Sequence, residues 1–209
     1  MTSRRSKSSD RWLREHFADP FVKKARAEGW RSRAVFKLEE IDRKVKLLKP
    51  GMTVVDLGAA PGAWSQYARR KVGRNGRIVA TDILVMPSLD GVEFVQGDFR
   101  EPEVLEALLR LAPERTVDVV LSDIAPNMSG MDAIDQPRAM YLAELALDFA
   151  KQVLKPNGTV LIKTFQGAGF KELTDSARKL FSKVRFEKPD ASRARSSELY
   201  LLASGLRLV

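Results

Sequence analysis

A chain of 209 residues that is 44% hydrophobic, with no apolar run near the roughly 18 residues a membrane span needs, has room for one well-buried domain and is expected to stay out of the bilayer. It has no cysteine and a single histidine, which removes thiolate nucleophiles and cysteine-based zinc sites and fits a reducing compartment, the cytoplasm. The net charge of +9 is concentrated at the start, where residues 1–49 hold 15 Lys and Arg against 7 Asp and Glu.

Residues 1–30 read as a basic N-terminal arm, and 31–209 as one domain. The opening "MTSRRSKSSD" is basic but lacks the apolar centre of a secretion signal. His16, within the arm, is expected to be solvated rather than a ligand. From Arg11 onward Trp12, Phe17, Phe21 and Trp30 are interleaved with the charges. That mixture suits phosphates with stacked bases, or packing against a core. A polyanionic partner is the first functional expectation.

In "SRAVFKLEEIDRKV", Val35, Leu38, Ile41 and Val45 fall on one helical face. Strands follow at "MTVVDL", "GRIVATDI", "VEFVQG", "VDVVLSD" and "GTVLIKTF", with helices at about 64–71, 101–111, 136–154 and 169–181. Alternating strands and helices predict a parallel sheet covered on both faces. The last two strands, "KVRFEK" and "ELYLLAS", are joined by a connection too short for a crossover helix and should pair antiparallel. The expected fold is α/β: a mostly parallel seven-stranded sheet ending in an antiparallel hairpin, with helices on both faces.

Ligands of such sheets bind outside the carboxyl ends of the strands. The first of these ends reads "VVDLGAAPGAW". Gly58 and Gly62 let the backbone turn sharply and approach a ligand, and Pro61 stiffens the turn. Asp82 ends the second strand, 20 residues after Gly62, where an acid of a dinucleotide fold bonds ribose hydroxyls. Asp98 lies just past the third strand. The loop itself lacks the G-x-G-x-x-G spacing. Asp56-x-Gly58 followed by Gly62 resembles instead the binding loop of S-adenosylmethionine methyltransferases, where an acid suits a cationic sulfonium better than a phosphate. Asp123 ends the fourth strand and Lys163 the fifth, so both point at one cleft. An antiparallel last strand begins where the parallel ones finish, which brings Glu198 to the same side.

The stretches "RSRAVFKL", "DLGAAPGAWSQ", "SDIAPNMSG", "VLIKTFQG" and "RSSELYL" resemble, in order, the motifs of the FtsJ (RrmJ) family of RNA ribose 2′-O-methyltransferases. The resemblance runs from about Arg11 to the last strand. It implies a Rossmann-like methyltransferase domain and a Lys-Asp-Lys-Glu tetrad that falls on Lys37, Asp123, Lys163 and Glu198. It also implies S-adenosylmethionine as cofactor, contacted by Gly62, Trp64, Asp82, Asp98 and Asp123, and no metal. Bacterial members modify a uridine of large-subunit ribosomal RNA. The expected partner is therefore RNA in the large subunit or a late assembly particle, not DNA or membrane, with the chain acting as a monomer.

The chemistry agrees. A ribose hydroxyl attacks only when its proton is removed or strongly polarised. Lys163 can accept that proton only in its neutral form, which a neighbouring Lys37 favours and the acids Asp123 and Glu198 oppose. The four groups should act as a coupled set. Base methylation through a cysteine adduct is excluded by composition, and the turn after the fourth strand, Asp123-Ile124-Ala125-Pro126, lacks the Pro-Pro-aromatic sequence of base amino-group methyltransferases. A transfer-RNA target, or a non-catalytic ribosome-assembly factor on the same fold, are the alternatives.

Overall fold

The computed structural model describes residues 19–126, 129–193 and 196–207. Trp12, His16 and Phe17 of the arm lie outside the described residues. Seven strands, β1 (Thr53–Leu57), β2 (Arg77–Asp82), β3 (Val92–Gln96), β4 (Val117–Ser122), β5 (Leu154–Phe165), β6 (Phe181–Glu187) and β7 (Glu198–Leu206), form one sheet in the order β3-β2-β1-β4-β5-β7-β6. Strands β1 to β5 pair in parallel, and β7 runs antiparallel between β5 and β6, as the hydrophobic pattern predicts.

Because side chains alternate along a strand, a strand buried on both faces must be apolar at consecutive positions. Val54, Ile78, Val119, Leu121 and Leu161 face one core, closed by helices α1 (Pro20–Ala27), α2 (Val35–Val45) and α3 (Ala63–Val72). Their neighbours Val55, Val79, Val120 and Ile162 face the other, closed by α4 (Pro102–Leu111), α5 (Asp132–Val153) and α6 (Phe170–Leu180). Each fully buried Val, Leu or Ile among them contributes about 1.5–3 kcal/mol. The strand order reverses between β1 and β4, and the crevice at that reversal is where a ligand is expected in a sheet of this kind.

Two elements differ from the pattern reading. Helix α5 begins at Asp132, four residues before the expected start at 136. Pro137 suggests a first helical position, yet it lies on the exposed side of the second turn, where its missing N–H is tolerated. The start is set by Asp135, a buried carboxylate that accepts the backbone N–H groups of Ser129 and Gly130, both at 2.9 Å. Strand β5 begins at Leu154 rather than Gly158, and its register against β4 shifts between the pairs Val117–Leu154 and Val119–Thr159. Residues 19–30 are folded against the domain: Phe21 packs on Phe36 with ring centroids 5.7 Å apart, and Trp30 packs on Tyr67 at 6.0 Å.

Helix α2, which carries Lys37, is tied to α3 through Asp42. This buried carboxylate accepts the Leu48 N–H at 2.8 Å and the Tyr67 hydroxyl at 2.8 Å, and lies 3.1 Å from the Lys71 ammonium. Removing an acceptor shared by two buried donors leaves both without a partner. Asp42→Ala should lower stability by about 2–4 kcal/mol, read as an earlier urea midpoint at unchanged slope. A loss under about 0.5 kcal/mol would show the tie to be dispensable.

Candidate active site

The strand ends place the acids side by side. Between β1 and α3 the chain turns at Gly58, whose φ of +76° favours glycine, and a Cβ there would stand 2.4 Å from Ile124 Cγ1. Gly62 opens α3 at φ +102°. The Asp82 carboxylate braces this turn by accepting the Ala60 N–H and the Leu84 N–H, both at 2.8 Å. Asp98 is bound by its neighbour Arg100, whose Nε lies 2.9 Å from both carboxylate oxygens. That hydrogen bonding holds the Asp98 carboxyl below its usual range.

Two ion pairs stand beside these acids. Lys163 Nζ lies 3.0 Å from Asp123 Oδ1 and donates to the Asp123 carbonyl at 2.7 Å. Lys37 Nζ lies 2.7 Å from Glu198 Oε1, and that oxygen also accepts the Ser192 hydroxyl at 2.8 Å. The four side chains are 9–17% exposed, so the pairs are shielded yet reachable. Tyr200 joins them. Its hydroxyl donates to Asp123 Oδ1 at 2.7 Å, its ring packs on Trp64, and Lys37 Nζ stands 5.7 Å from the ring centroid. Burial raises the Asp123 carboxyl, but the ammoniums of Lys163 and Lys37 and the Tyr200 hydroxyl outweigh it and hold the group below the usual carboxylate range. Burial and the adjacent carboxylates push the Tyr200 phenol well above its ordinary value, so it remains a neutral donor.

A cavity of about 610 Å³ opens against this cluster. Of the residues predicted from sequence, Gly58, Asp82, Asp98 and Asp123 line it. Asp56, Pro61, Gly62 and Trp64 are not on its wall. Asp56 is fully buried, accepts the Ser65 hydroxyl at 2.6 Å and leaves its other oxygen without a partner. Trp64 is 3% exposed and donates its indole N–H to the Ala34 carbonyl at 2.8 Å, which ties the loop before α2 to α3. The tetrad residues Lys37, Asp123, Lys163 and Glu198 come together as expected.

Several site residues escape the sequence reading. Tyr200 is the main one, although its place two residues after Glu198 puts it on the same sheet face. Ile83 and Leu84, 60% and 62% exposed, form an apolar wall of the cavity opposite Tyr141 and Arg138 of α5. Exposed apolar residues directly after Asp82 were the available signal.

The sequence profile described as FtsJ-like methyltransferase matches residues 30–206. The chain belongs to that family. The FtsJ-like match spans every element from α2 to β7, and therefore the whole tetrad. The chain is 63% identical over 204 residues to a protein of Legionella pneumophila named ribosomal RNA large subunit methyltransferase E, covering 98% of this chain and 99% of that one. A crystal structure described as a ribosomal RNA methyltransferase of Plasmodium falciparum superposes with TM-score 0.75 at 27% identity, over 85% of this chain and 98% of that one. A SAM-dependent O-methyltransferase of Thermotoga maritima shares the fold, with TM-score 0.56 at 14% identity over 83% of this chain and 66% of that one.

Asp56 has a measurable signature. Burial, opposed by the Ser65 hydroxyl and reinforced by Asp123 and Asp82, raises its carboxyl from 3.8 to about 7. The fold therefore favours the protonated acid, and this contribution to stability, complete below the unfolded value near 4, is lost as pH rises to about 7. Asp56→Asn imitates the neutral acid. Its stability advantage over the parent in thermal denaturation should widen between about pH 4 and 7 and stay level above that. A gap independent of pH would mean that Asp56 is ionised throughout.

Proposed function

We propose that this methyltransferase transfers a methyl group from S-adenosylmethionine to a ribose 2′-hydroxyl of large-subunit ribosomal RNA. The reading includes a uridine target, carried by the large subunit or a late assembly particle in the cytoplasm, and a monomeric enzyme. What carries it is the pairing of Lys37 with Glu198 and of Lys163 with Asp123 beside an acid-lined cavity.

The cavity suits the cofactor. Gly58 lets the loop backbone pack against Ile124 at the cavity wall, Asp82 and Asp98 offer acceptors for hydroxyl and amino groups, and Ile83 and Leu84 offer an apolar face to an adenine. Asp123 places negative charge near a cation, and the buried Asp56 behind it can ionise when positive charge arrives. S-Adenosylmethionine, when bound, supplies a methyl group made electrophilic by its sulfonium. The protein must hold a hydroxyl in line with that methyl and take up the proton. Asp123, held below the usual carboxylate range by two ammoniums, is a poor proton acceptor and serves to fix Lys163. Tyr200, a neutral donor, fixes Asp123 in turn. The hydroxyl proton is taken up by the coupled set of Lys163, Lys37 and Glu198 when one of its lysines is neutral, which leaves that lysine as an ammonium after transfer. The basic arm, residues 1–30, adds phosphate contacts.

Lys163→Ala should lower kcat by about 10²–10⁴-fold while SAM affinity stays within about twofold, whereas Asp82→Ala should weaken SAM first. Labelled SAM with ribosomal particles, followed by nucleoside analysis, reads the product, and calorimetry reads the cofactor. Label on a base, or on no RNA, would overturn the assignment, and equal loss of SAM binding in both variants would show the cleft to be misassigned. Deleting residues 1–18 should flatten the dependence of log K for RNA on log salt by roughly 0.7 per lost phosphate contact. An unchanged slope in a folded truncated chain would remove the arm from RNA binding.

A further inference from the structure

The connection between β6 and β7 is clamped onto the helix that carries Lys37. Ser192 N–H closes a tight turn by donating to the Pro189 carbonyl at 2.9 Å. Within that turn the Asp190 N–H donates to both oxygens of Glu40, at 3.0 and 2.9 Å, and the buried Ala191 presents its carbonyl to Arg33 Nη2 at 2.5 Å. Arg33 is itself anchored to Asp19, with Nη1 to Oδ2 at 2.5 Å. Arg33, Lys37 and Glu40 are spaced as i, i+4 and i+7, so one face of α2 and the residues just before it hold the turn on either side of Lys37. The clamp delivers Ser192, 7% exposed, to Glu198 Oε1, the same oxygen that faces the Lys37 ammonium.

We infer that Ser192 is a positioning residue of the reaction, its hydroxyl holding the Glu198 carboxylate in the orientation that receives Lys37. The inference rests on the ribose methyl transfer proposed above. Glu198 sits at the first position of β7, and among the described residues Ser192 of the preceding turn, Lys37 and Tyr200 hold its side chain. Lys37 has a second acid within electrostatic reach, because its charge acts on Asp123. If Glu198 swings away, the Lys37 ammonium is free to turn toward Asp123, where Lys163 already stands. Two separate lysine–carboxylate pairs then become two lysines competing for one carboxylate. The Ser192 bond keeps them apart, and it does so without touching the cavity that accepts the cofactor.

The test compares parent, Ser192→Ala and Ser192→Thr in the full-length enzyme with ribosomal particles. Ser192→Ala should lower kcat by roughly 10- to 100-fold, as misplacement of a reacting group does, with the KM for RNA and the Kd for SAM within about twofold of the parent. Ser192→Thr, which keeps the hydroxyl, should restore most of the rate. A parental kcat in Ser192→Ala overturns the inference. So does a loss of rate matched by equal losses of SAM affinity and melting temperature, or a folded Thr variant that recovers nothing. Should Ser192→Ala fail to fold, Glu40→Ala releases the same turn from outside and should lower kcat in the same selective way, by a smaller factor; a parental kcat there overturns the inference too. A parent that puts no label on ribose would instead sink the proposed reaction, and with it the role of Ser192.

Discussion

The register of β7 against β5 places Tyr200 opposite Lys163 and Glu198 opposite Phe165. Everything at the active site depends on that alignment. A slip of one residue would turn Glu198 and Tyr200 to the other face of the sheet, into the core closed by α5 and α6, and take Glu198 from Lys37 and the Tyr200 hydroxyl from Asp123. The register is held where the strands are most apolar, with Ile162 opposite Leu201 and Leu161 opposite Leu202, all in the cores. Burial on both faces thus sets the position of the ionised groups. The antiparallel insertion of β7 between β5 and β6 makes this possible, because only a strand running against its neighbours can begin at the ligand end of the sheet.

The carboxyls of two aspartates at the ends of adjacent strands are shifted in opposite directions. Asp123 faces two lysines and a phenol, which stabilise its negative charge against the effect of burial. Asp56, on β1 beside β4, is completely buried with one serine hydroxyl as its partner, and burial, reinforced by the charges of Asp123 and Asp82, raises it. A site that receives a cation benefits from this arrangement, since fixed negative charge stands at the cluster and a further acid lies behind it that can ionise when positive charge arrives.

The basic face of the tetrad depends on α2. Asp42 ties that helix to α3 at its far end, Trp64 ties the Ala34 carbonyl to α3 at its near end, and Arg33 and Glu40 bind it to the turn before β7. Lys37 projects from the first turn of a helix fixed at both ends. This rigidity allows a side chain as flexible as lysine to meet one carboxylate oxygen.

The order of strands and helices and the antiparallel end of the sheet were legible in the sequence, because a doubly buried sheet requires continuous apolar strands and the charged residues at their ends, Asp123, Lys163 and Glu198, stand out; Lys37 joined them only through the resemblance to the FtsJ family. Lys163 after Val160, Leu161 and Ile162 is such a residue. The start of α5 was not legible, since only the folded loop reveals that Asp135, inside the first turn, accepts the N–H groups of Ser129 and Gly130. Nor was the division of the tetrad into two pairs, the burial of Asp56 and Trp64 behind the cavity wall, the bond from Arg100 to Asp98, or the bridge that Tyr200 makes to Asp123. Local spacing determines which face of an element a side chain takes. Which partner it meets there depends on contacts between residues as far apart as Arg33 and Ala191, and only the packed chain brings those together.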